Sequence, residues 1–583
     1  MAETESPRAI LQNSERPRAK TSRLIGPSDP AATLHLAIVV RSRVGSPALP
    51  DQSYWLRTPP LQRRHLSRAE FAATYGADQE DVDKVAAFAR SCGFSVVEAS
   101  AAKRSVIVSG TVEAANRTFG VELQQFASGG ETHRGHDGPV RIDSRIAPVI
   151  EAVLGLDNRR LGRRRGGGPG GSSLTLTPTQ VAQAYNFPDY NPARPQTIGI
   201  IEFGAGFKVS DVTAYVSKAT GKPASPNSIV IAYGSNEPYA AGEINPGVLE
   251  ALLDVDVAAS VAPGATIAVY FGIGFSSGDN GPIPNEMGWY TTLSAAIMDS
   301  THNPSVLSIS FGEPEVAWPT SVISSISGLF QGATAMGITV FAASGDDGAS
   351  DDPTQGEDWP GINVDYPGSD PWVTCCGGTS ISQLSPLQQN TWNDGFGATG
   401  GGVSTHFTNS SQYPWQSAIR INGAAPAGRA VPDIAGNASG ASGYDLIVLG
   451  TPASQTGIDG SQDFLVGLLA GTSAVAPLYA ALIAIINSQF ATTTSGNPRN
   501  TVGYLNPYLY QFGASNPAVY DDINDHGNNS YNGVTGYQSG PGWDACTGWG
   551  SIKGDSFALV LGVDQVPGGC WAMLSQIIKM IFQ

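Results

Sequence analysis

Apolar and polar residues follow two different patterns along the chain, on either side of an Arg- and Gly-rich stretch at residues 159–173. Before it, strand patterns such as residues 34–43 alternate with helical patterns such as residues 79–93. This alternation predicts a compact α+β domain over residues 34–158, with residues 1–33 as an amino-terminal extension.

Beyond that stretch, apolar runs of strand length alternate with helical patterns. Polar residues do not interrupt the runs, which indicates strands that are covered on both faces. The runs lie at residues 197–202, 228–232, 266–271, 305–310 and 337–343. We predict an α/β domain with a doubly wound, mostly parallel sheet over residues 174–565, followed by a tail at 566–583. Its ligand site is expected at the carboxyl ends of the strands.

The stretch between the two patterns has a composition of its own. Residues 159–173 carry five arginines followed by glycines, without apolar periodicity. This composition predicts an exposed linker that contains a proteolytic processing site.

One apolar run resembles a membrane span, because Phe464–Ile486 contains no charged residue. Gly471, Thr472, Ser473 and Pro477 interrupt it midway. The interruption predicts a buried strand, a turn and a core helix rather than a membrane helix.

Composition narrows the classes of function. A chain of 583 residues is longer than a single hydrophobic core normally supports, so we expect at least two domains. Its 41% of apolar residues argues against disorder. Residues 1–171 hold 24 basic and 18 acidic side chains, a net charge of +6, and the remainder carries −23. So few cations in the second part argue against nucleic acid as its partner, and we expect none. Such a composition suits a protein that works in acid.

The cysteines and the amino terminus give little evidence about function or cellular location. Cys92, Cys375, Cys376, Cys546 and Cys570 show no metal-binding spacing. The amino terminus has no apolar segment of the kind found in a standard secretory signal.

Ser473 is the candidate nucleophile. It lies in the small-residue turn Ala470–Pro477, at the start of an apolar helix where amide dipoles stabilise an oxyanion. The alternative is an ordinary helix cap. The motif resembles the serine motif of subtilisin-like peptidases, but none of the seven histidines lies in the HGT motif that supplies their base.

Carboxyl groups are therefore the candidate bases. Glu250 and Asp254 are four residues apart on a predicted helix and share one face, where partial burial would raise the pKa of one of them. The alternative is a solvated acidic face. Asp346 follows the 337–343 strand, where a protonated aspartate can donate a hydrogen bond to an oxyanion. A turn or metal-binding role for Asp346 and Asp347 is the other interpretation.

Together these residues resemble the sedolisin family of serine-carboxyl peptidases, most closely its kumamolisin-like branch. The motifs that carry the resemblance are VAQAYNFP, IGIIEFGAG, LDVDVAASVAPGATIAVYF, SVLSISFGEPE, GGGVS, VPDIAGNASG, GTSAVAPL and GPGWDACTGWGS, in family order. The resemblance implies a subtilisin-like catalytic domain behind an inhibitory activation prodomain.

The resemblance also implies roles for individual residues. Ser473 is implied as nucleophile, Glu250 as general base and acid, Asp254 as the group that orients Glu250, and Asp346 as oxyanion-hole donor. Glu202 is implied as an extension of this proton network, but the sequence departs from the pattern at Phe311, where kumamolisin-like relatives can have tryptophan.

A structural calcium site is implied as well. One Ca²⁺ ion is expected at Asp522, Asp544 and the carbonyls of Ile523, Gly540 and Gly542, since hard oxygen ligands suit this ion. An EF-hand interpretation fails, because Gly533 occupies the position of the required glutamate.

The expected function is an acid-active serine endopeptidase made as a self-processing zymogen. Its expected partners are peptide or protein substrates and its own prodomain. We expect a secreted monomer without a membrane span. The alternative is a non-catalytic, calcium-stabilised binding scaffold. Asp365 either lines a pocket for a basic substrate residue or lies at the surface.

Overall fold

The computed structural model describes residues 7–16, 18–128, 131–164, 174–204, 206–238, 246–272, 284–352, 358–444, 469–490 and 501–563. The predicted segments Phe464–Leu468 and 566–583, together with Cys570, lie outside these ranges. Cys92, Cys375, Cys376 and Cys546 are free thiols.

The amino-terminal unit is an antiparallel sheet with helices on one face. The sheet order is Ser95–Ser100, Ser105–Thr111, Thr33–Val40 and Ile150–Leu154. The helices Gln79–Ser91 and Val112–Phe119 pack on this sheet, whereas Gln52–Arg57 and Arg68–Tyr75 contact the second unit. Smaller sheets pair Arg8–Ile10 with Arg141–Asp143, and Gln124–Ser128 with Arg23–Pro27 and Glu131–Gly135.

The predicted separate extension at residues 1–33 is wrong for the residues described. Arg8–Ile10 and Arg23–Pro27 each pair with strands of the amino-terminal unit. Their apolar side chains Ile10, Leu24 and Ile25 are exposed, so backbone hydrogen bonds rather than buried apolar surface attach these strands.

The second unit contains the predicted doubly wound sheet. Its strands, in spatial order, are Ile229–Tyr233, Thr266–Gly272, Thr197–Phe203, Val306–Ile309, Thr339–Ala343, Thr374–Leu384 and Leu387–Thr391, with Ile434–Asn437 also paired to Thr374–Leu384. All pairs are parallel except the one with Leu387–Thr391. The chain order reverses around Thr197–Phe203, so a crevice is expected at the carboxyl end of this strand.

Helices cover both faces of this sheet, as the uninterrupted apolar runs predict. Ile198 and Ile200 pack into one core with the helices Pro246–Val261 and Val475–Gln489, whereas Ile201 and Phe203 pack into another with Glu286–Met298 and Thr320–Ala335. The remaining described helices are Pro178–Ala184, Val209–Thr220, Asn506–Ser515 and Gly554–Val560. Short strands pair Gly402–Val403 with Ala430–Val431 and Tyr520–Asp521 with Ser551–Ile552.

The apolar run across residues 464–486 is a core element where it is described. Within the described residues, Thr472–Gln489 is the one stretch long and apolar enough to cross a membrane, and 94% of it is buried inside the protein. It comprises a short turn and the helix Val475–Gln489, as predicted.

The two units share a core. In the strand Thr33–Val40, Leu36 and Ile38 face the unit's own helices, whereas Ala37 and Val39 pack with Trp289 of the second unit. Both faces of this strand are therefore buried.

A buried ion network crosses the same interface. Arg16 contacts Asp157 at 2.8 Å and Glu286 at 3.3 Å, and Arg159 contacts Asp157 at 3.3 Å. Burial raises the pKa of Glu286 to about 7, an effect that Arg16 opposes. Burial lowers the pKa of the nearby His133 to about 4.

A second attachment lies at the amino-terminal edge of the parallel sheet. Arg63 is fully buried between the rings of Trp55 and Tyr508, and its guanidinium donates to the Val502 carbonyl at 2.9 Å. Arg68 donates to the carbonyls of Ile297 and Pro304 at 2.7 and 3.0 Å. We call Gln52–Arg68 the anchor segment.

Candidate active site

The turn that carries Ser473 follows a glycine in an unusual conformation. Gly471 has φ +122°, which favours glycine, and the residues Thr472–Ala474 form a 3-10 turn before the helix Val475–Gln489. Ser473 is fully buried. Its hydroxyl caps neither element, so the helix-cap interpretation is wrong.

Ser473 is held against the carboxyl end of the strand Val306–Ile309. Its hydroxyl donates to the Ser310 carbonyl at 3.4 Å, and the Ser310 hydroxyl donates to the Ser473 carbonyl at 3.2 Å. This reciprocal pair places the candidate nucleophile at the sheet edge where chemistry is expected. Ser310 was not singled out from the sequence, although it ends one of the predicted strands.

Glu250 and Asp254 lie on the buried helix Pro246–Val261. They are 3% and 0% exposed, so the interpretation as a solvated acidic face is wrong. The helix packs against the turn of Ser473. Nearly all residues of the helix are buried, so it has no solvated face.

Burial and the neighbouring Glu250 carboxyl raise the pKa of Asp254 well above its usual value. Hydrogen bonding with Ser310 and Glu202 opposes this rise. Glu202 is buried at the end of the strand Thr197–Phe203. Glu202, Glu250 and Asp254 thus form a group of three buried carboxyl groups at this edge of the sheet.

Asp346 is attached to the residue beside Ser473. It follows the strand Thr339–Ala343, and its Oδ1 accepts hydrogen bonds from the N–H and the hydroxyl of Thr472, both at 2.8 Å. The neighbouring Gly345 donates its N–H to the Thr472 hydroxyl at 3.2 Å. Thr472 is therefore a positioning residue that the sequence interpretation did not identify.

The metal interpretation for Asp346 and Asp347 gains no support. In the described ranges, no group of three or more His, Cys, Asp or Glu side chains is arranged for a metal ion. Asp347 instead contacts Arg163 at 3.2 Å.

Asp365 is buried, which excludes its interpretation as a surface carboxylate. It lies directly beneath Gly312, where an added Cβ would come within 1.8 Å of its carboxylate. Residue 312 must therefore be a glycine for the Asp365 carboxylate to fit against it.

The expected calcium residues lie in one loop region. Gly542 donates its N–H to Asp522 at 3.0 Å, and Gly540 donates its N–H to Asp544 at 3.2 Å. Burial raises the pKa of Asp544 to about 7 and that of Asp522 above its usual value. A buried carboxylate, Asp544, and an exposed one, Asp522, beside a glycine turn are compatible with a hard cation, which would stabilise their charged forms.

Part of the predicted linker is bound rather than exposed. Leu161 is buried and Arg163 and Arg164 pair with the strand Phe311–Pro314, which also pairs with Asp365–Tyr366. The prediction of an exposed segment is wrong for residues 159–163, which are buried or half-buried, because Leu161 and Arg163 contact distant residues of the second unit. Residues 165–173 of the predicted linker lie outside the description.

Known proteins identify the family. The family model described as Pro-kumamolisin, activation domain, matches residues 20–159. Kumamolisin from Bacillus sp. (strain MN-32) is 37% identical over 571 residues, which cover 94% of this chain and 95% of that protein. Sedolisin from Pseudomonas sp. (strain 101) is 26% identical over 510 residues, 84% of this chain and 80% of that protein.

The fold comparison agrees with the sequence comparison. Pseudomonas sedolisin complexed with two molecules of pseudo-iodotyrostatin matches with a TM-score of 0.52 at 23% identity, covering 68% of this chain and all of that one. The predicted subtilisin-like α/β class with a preceding smaller domain is confirmed. The chain belongs to the sedolisin family of serine-carboxyl peptidases and carries the family's activation domain at its amino-terminal end.

Proposed function

We propose that this protein is an acid-active endopeptidase, made as a zymogen that processes itself through Ser473. The observation that carries the proposal is the reciprocal hydrogen bonding of Ser473 and Ser310 beside a buried carboxyl pair. Because Ser310 also interacts with Asp254, it connects the nucleophile's turn to the proton-holding groups.

In the proposed reaction, the Ser473 oxygen attacks the peptide carbonyl while Glu250 takes its proton. Asp254 orients Glu250 and shares its charge. Asp346, in its protonated form, donates a hydrogen bond to the developing oxyanion. Glu250 then gives the proton to the leaving amine, and water hydrolyses the acyl-enzyme by the reverse transfer.

Acid dependence follows from the groups involved. An aspartate is a hydrogen-bond donor only while it holds a proton, and the buried carboxyl pair needs a shared proton to work as acid and base. Activity should therefore fall as the pH rises and these protons are lost. A histidine-dependent site would show the opposite trend over this range.

The partners proposed are peptide or protein substrates and the chain's own activation domain, which inhibits by occupying the crevice. The bound position of Arg163 and Arg164 supports this. A secreted monomer suits a peptidase that acts in acid. The alternative, a non-catalytic scaffold, leaves the buried carboxyl pair without a use.

A single structural Ca²⁺ ion is part of the proposal. Asp522, Asp544 and the carbonyls of Ile523, Gly540 and Gly542 would hold it. When bound, the ion would neutralise the two carboxylates and stiffen a glycine-rich loop. It takes no part in the peptide cleavage.

The decisive experiment measures peptide hydrolysis against pH for the wild type, Ser473→Ala and Glu250→Gln. We expect hydrolysis only in acid, and loss of at least a thousandfold in both variants. Ser473→Ala should fold and remain at full length, because it removes one hydroxyl from a small-residue turn. Appreciable hydrolysis by folded Ser473→Ala protein would contradict the mechanism.

A further inference from the structure

The segment Leu161–Arg164 enters the crevice in a defined path. Leu161 donates its N–H to the Pro284 carbonyl at 2.9 Å and accepts from the Trp289 indole at 2.6 Å. Gly162 has φ +100°, and a Cβ there would come within 2.9 Å of the Trp289 ring. The chain therefore turns at a glycine before it reaches the strand Phe311–Pro314.

The register of this strand relates Arg163 to the nucleophile. Arg163 lies opposite Gly312, and Arg164 lies opposite Phe311. The next residue of the partner strand is Ser310, whose carbonyl accepts the Ser473 hydroxyl. A peptide that continues this pairing brings its third residue opposite Ser310, so that its carbonyl faces the nucleophile.

The Arg163 guanidinium is held by three acceptors. Its Nε contacts Glu313 at 3.1 Å, one terminal nitrogen contacts Asp347 at 3.2 Å, and the other donates to the Asp351 carbonyl at 2.9 Å. The side chains of Arg163, Glu313 and Asp347 are 16%, 15% and 22% exposed. Solvent screening is therefore reduced, and charge-assisted bonds to a planar guanidinium are specific.

Other contacts position the two carboxylates. The Asn532 amide donates to the other oxygen of Asp347 at 3.2 Å and to the Asp352 carbonyl at 3.2 Å. Glu313 is fixed in a strand, opposite Tyr366. Asp347 thus has a side-chain contact besides Arg163, and the backbone of Glu313 is held by strand pairing.

We propose that Glu313, Asp347 and the Asp351 carbonyl form a substrate subsite for a basic side chain, two residues before the one that supplies the scissile carbonyl. Arg163 occupies this subsite in the unprocessed chain. The substrate part of this inference rests on the proposed peptidase function, whereas the binding of Arg163 does not. Removal of the linker opens the subsite to other peptides.

The first test compares two quenched fluorescent peptides that differ only at this position, one with arginine and one with uncharged citrulline. We expect processed wild-type enzyme to favour arginine about tenfold in kcat/KM. The preference should fall at least threefold in Glu313→Gln and disappear in Glu313→Gln/Asp347→Asn. Glu237→Gln, an exposed carboxylate elsewhere, is the matched control.

The ratio of kcat/KM for the arginine peptide to kcat/KM for the citrulline peptide is compared between proteins. A general effect of the Asp347 substitution on the neighbouring Asp346 changes both values equally and cancels in this ratio. Equal cleavage of both peptides by the wild type, or an unchanged preference in the double variant, would overturn the substrate subsite.

The second test needs no catalysis. Hydrogen exchange at the amides of residues 161–164 is measured in full-length Ser473→Ala protein, with and without Glu313→Gln. We expect exchange at least fivefold faster with Glu313→Gln and unchanged with Glu237→Gln. If neither peptide is cleaved but Glu313→Gln speeds the exchange, the proposed function fails while the arginine site stands. Unchanged exchange overturns the site itself.

Discussion

The Asp346 carboxylate accepts both the backbone N–H and the hydroxyl of Thr472 on the same oxygen, Oδ1, at 2.8 Å each. A proton held by this carboxyl therefore belongs on Oδ2. Because Thr472 precedes Ser473, its contact with Asp346 holds the proposed hydrogen-bond donor near the proposed nucleophile. The contact uses only Oδ1, so Oδ2 of Asp346 can gain or lose a proton as the pH changes.

The first prediction concerns this donor. Asparagine donates at any pH, whereas aspartate donates only when protonated. Asp346→Asn should therefore lose about tenfold or more of the activity at low pH and proportionally less at higher pH, where the wild type has also lost its donor. The measurement is kcat/KM against pH for both proteins, with Glu237→Gln as control. An equal fractional loss at every pH would show that another group sets the alkaline limb.

Calcium is the subject of the second prediction. Metal that binds only the folded state stabilises it by mass action. Chelation should lower the unfolding temperature, and Asp544→Ala should lower it even with calcium present. Differential scanning calorimetry of the Ser473→Ala background avoids self-digestion. If the unfolding temperature is the same with and without chelator and in the variant, the ion has no structural role here.

The third prediction is the pH dependence of the calcium-free protein. The pKa of Asp544 is raised to about 7 in the folded state, so its contribution to stability is present below pH 4 and is lost as the pH rises through 7. Between these values it should reduce the free energy of unfolding by about 2 to 4 kcal/mol. Asp544→Asn should flatten this dependence in chelator. Urea unfolding at several pH values tests it, and identical slopes for variant and wild type would contradict it.

Release of the activation domain is the fourth prediction. The pKa of His133 is lowered to about 4 by burial near Arg16 and Arg159, with Asp157 opposing. Between pH 6.5 and 4, exposed His133 gains a proton that the buried state excludes, so acid favours release. Glu286 acts in the opposite direction, since burial raises its pKa.

His133→Asn removes the acid-sensitive group, so its half-point for processing should move to lower pH. His526→Asn is the control, because His526 is exposed and its φ of +59° suits asparagine. Processing is followed by gel and amino-terminal sequencing after acidification of neutral-purified protein. The strand register predicts a mature chain that begins at Gly166. A half-point that His133→Asn leaves unchanged would show that this histidine does not govern release.

The sequence predicted the parallel sheet well because its strands are buried on both faces, a local signal that residues 197–202 and 337–343 carry by themselves. It also predicted that Asp346 follows a strand of this sheet, and the Asp346 carboxylate contacts Thr472, the residue before Ser473. The bound state of Arg163 could not be predicted, because its carboxylate partners are 150 and 184 residues away. The burial of Arg63 could not be predicted for the same reason. Distant backbone carbonyls, such as that of Val502, accept its hydrogen bonds, and no pattern of residue types reveals them.

The activation domain is attached to the catalytic domain at two places, the linker residues 161–164 and the anchor segment. Cleavage of the linker leaves the contacts of the anchor segment intact. Arg63 and Arg68 hold the edge of the sheet opposite to Ser473. Before cleavage the activation domain and the catalytic domain belong to one chain, so binding at either attachment raises the effective concentration for binding at the other. Cleavage converts this tethered equilibrium into a bimolecular one, whose dissociated fraction depends on dilution. The onset of activity should therefore depend on enzyme concentration, so that a processed but concentrated sample stays inhibited until it is diluted.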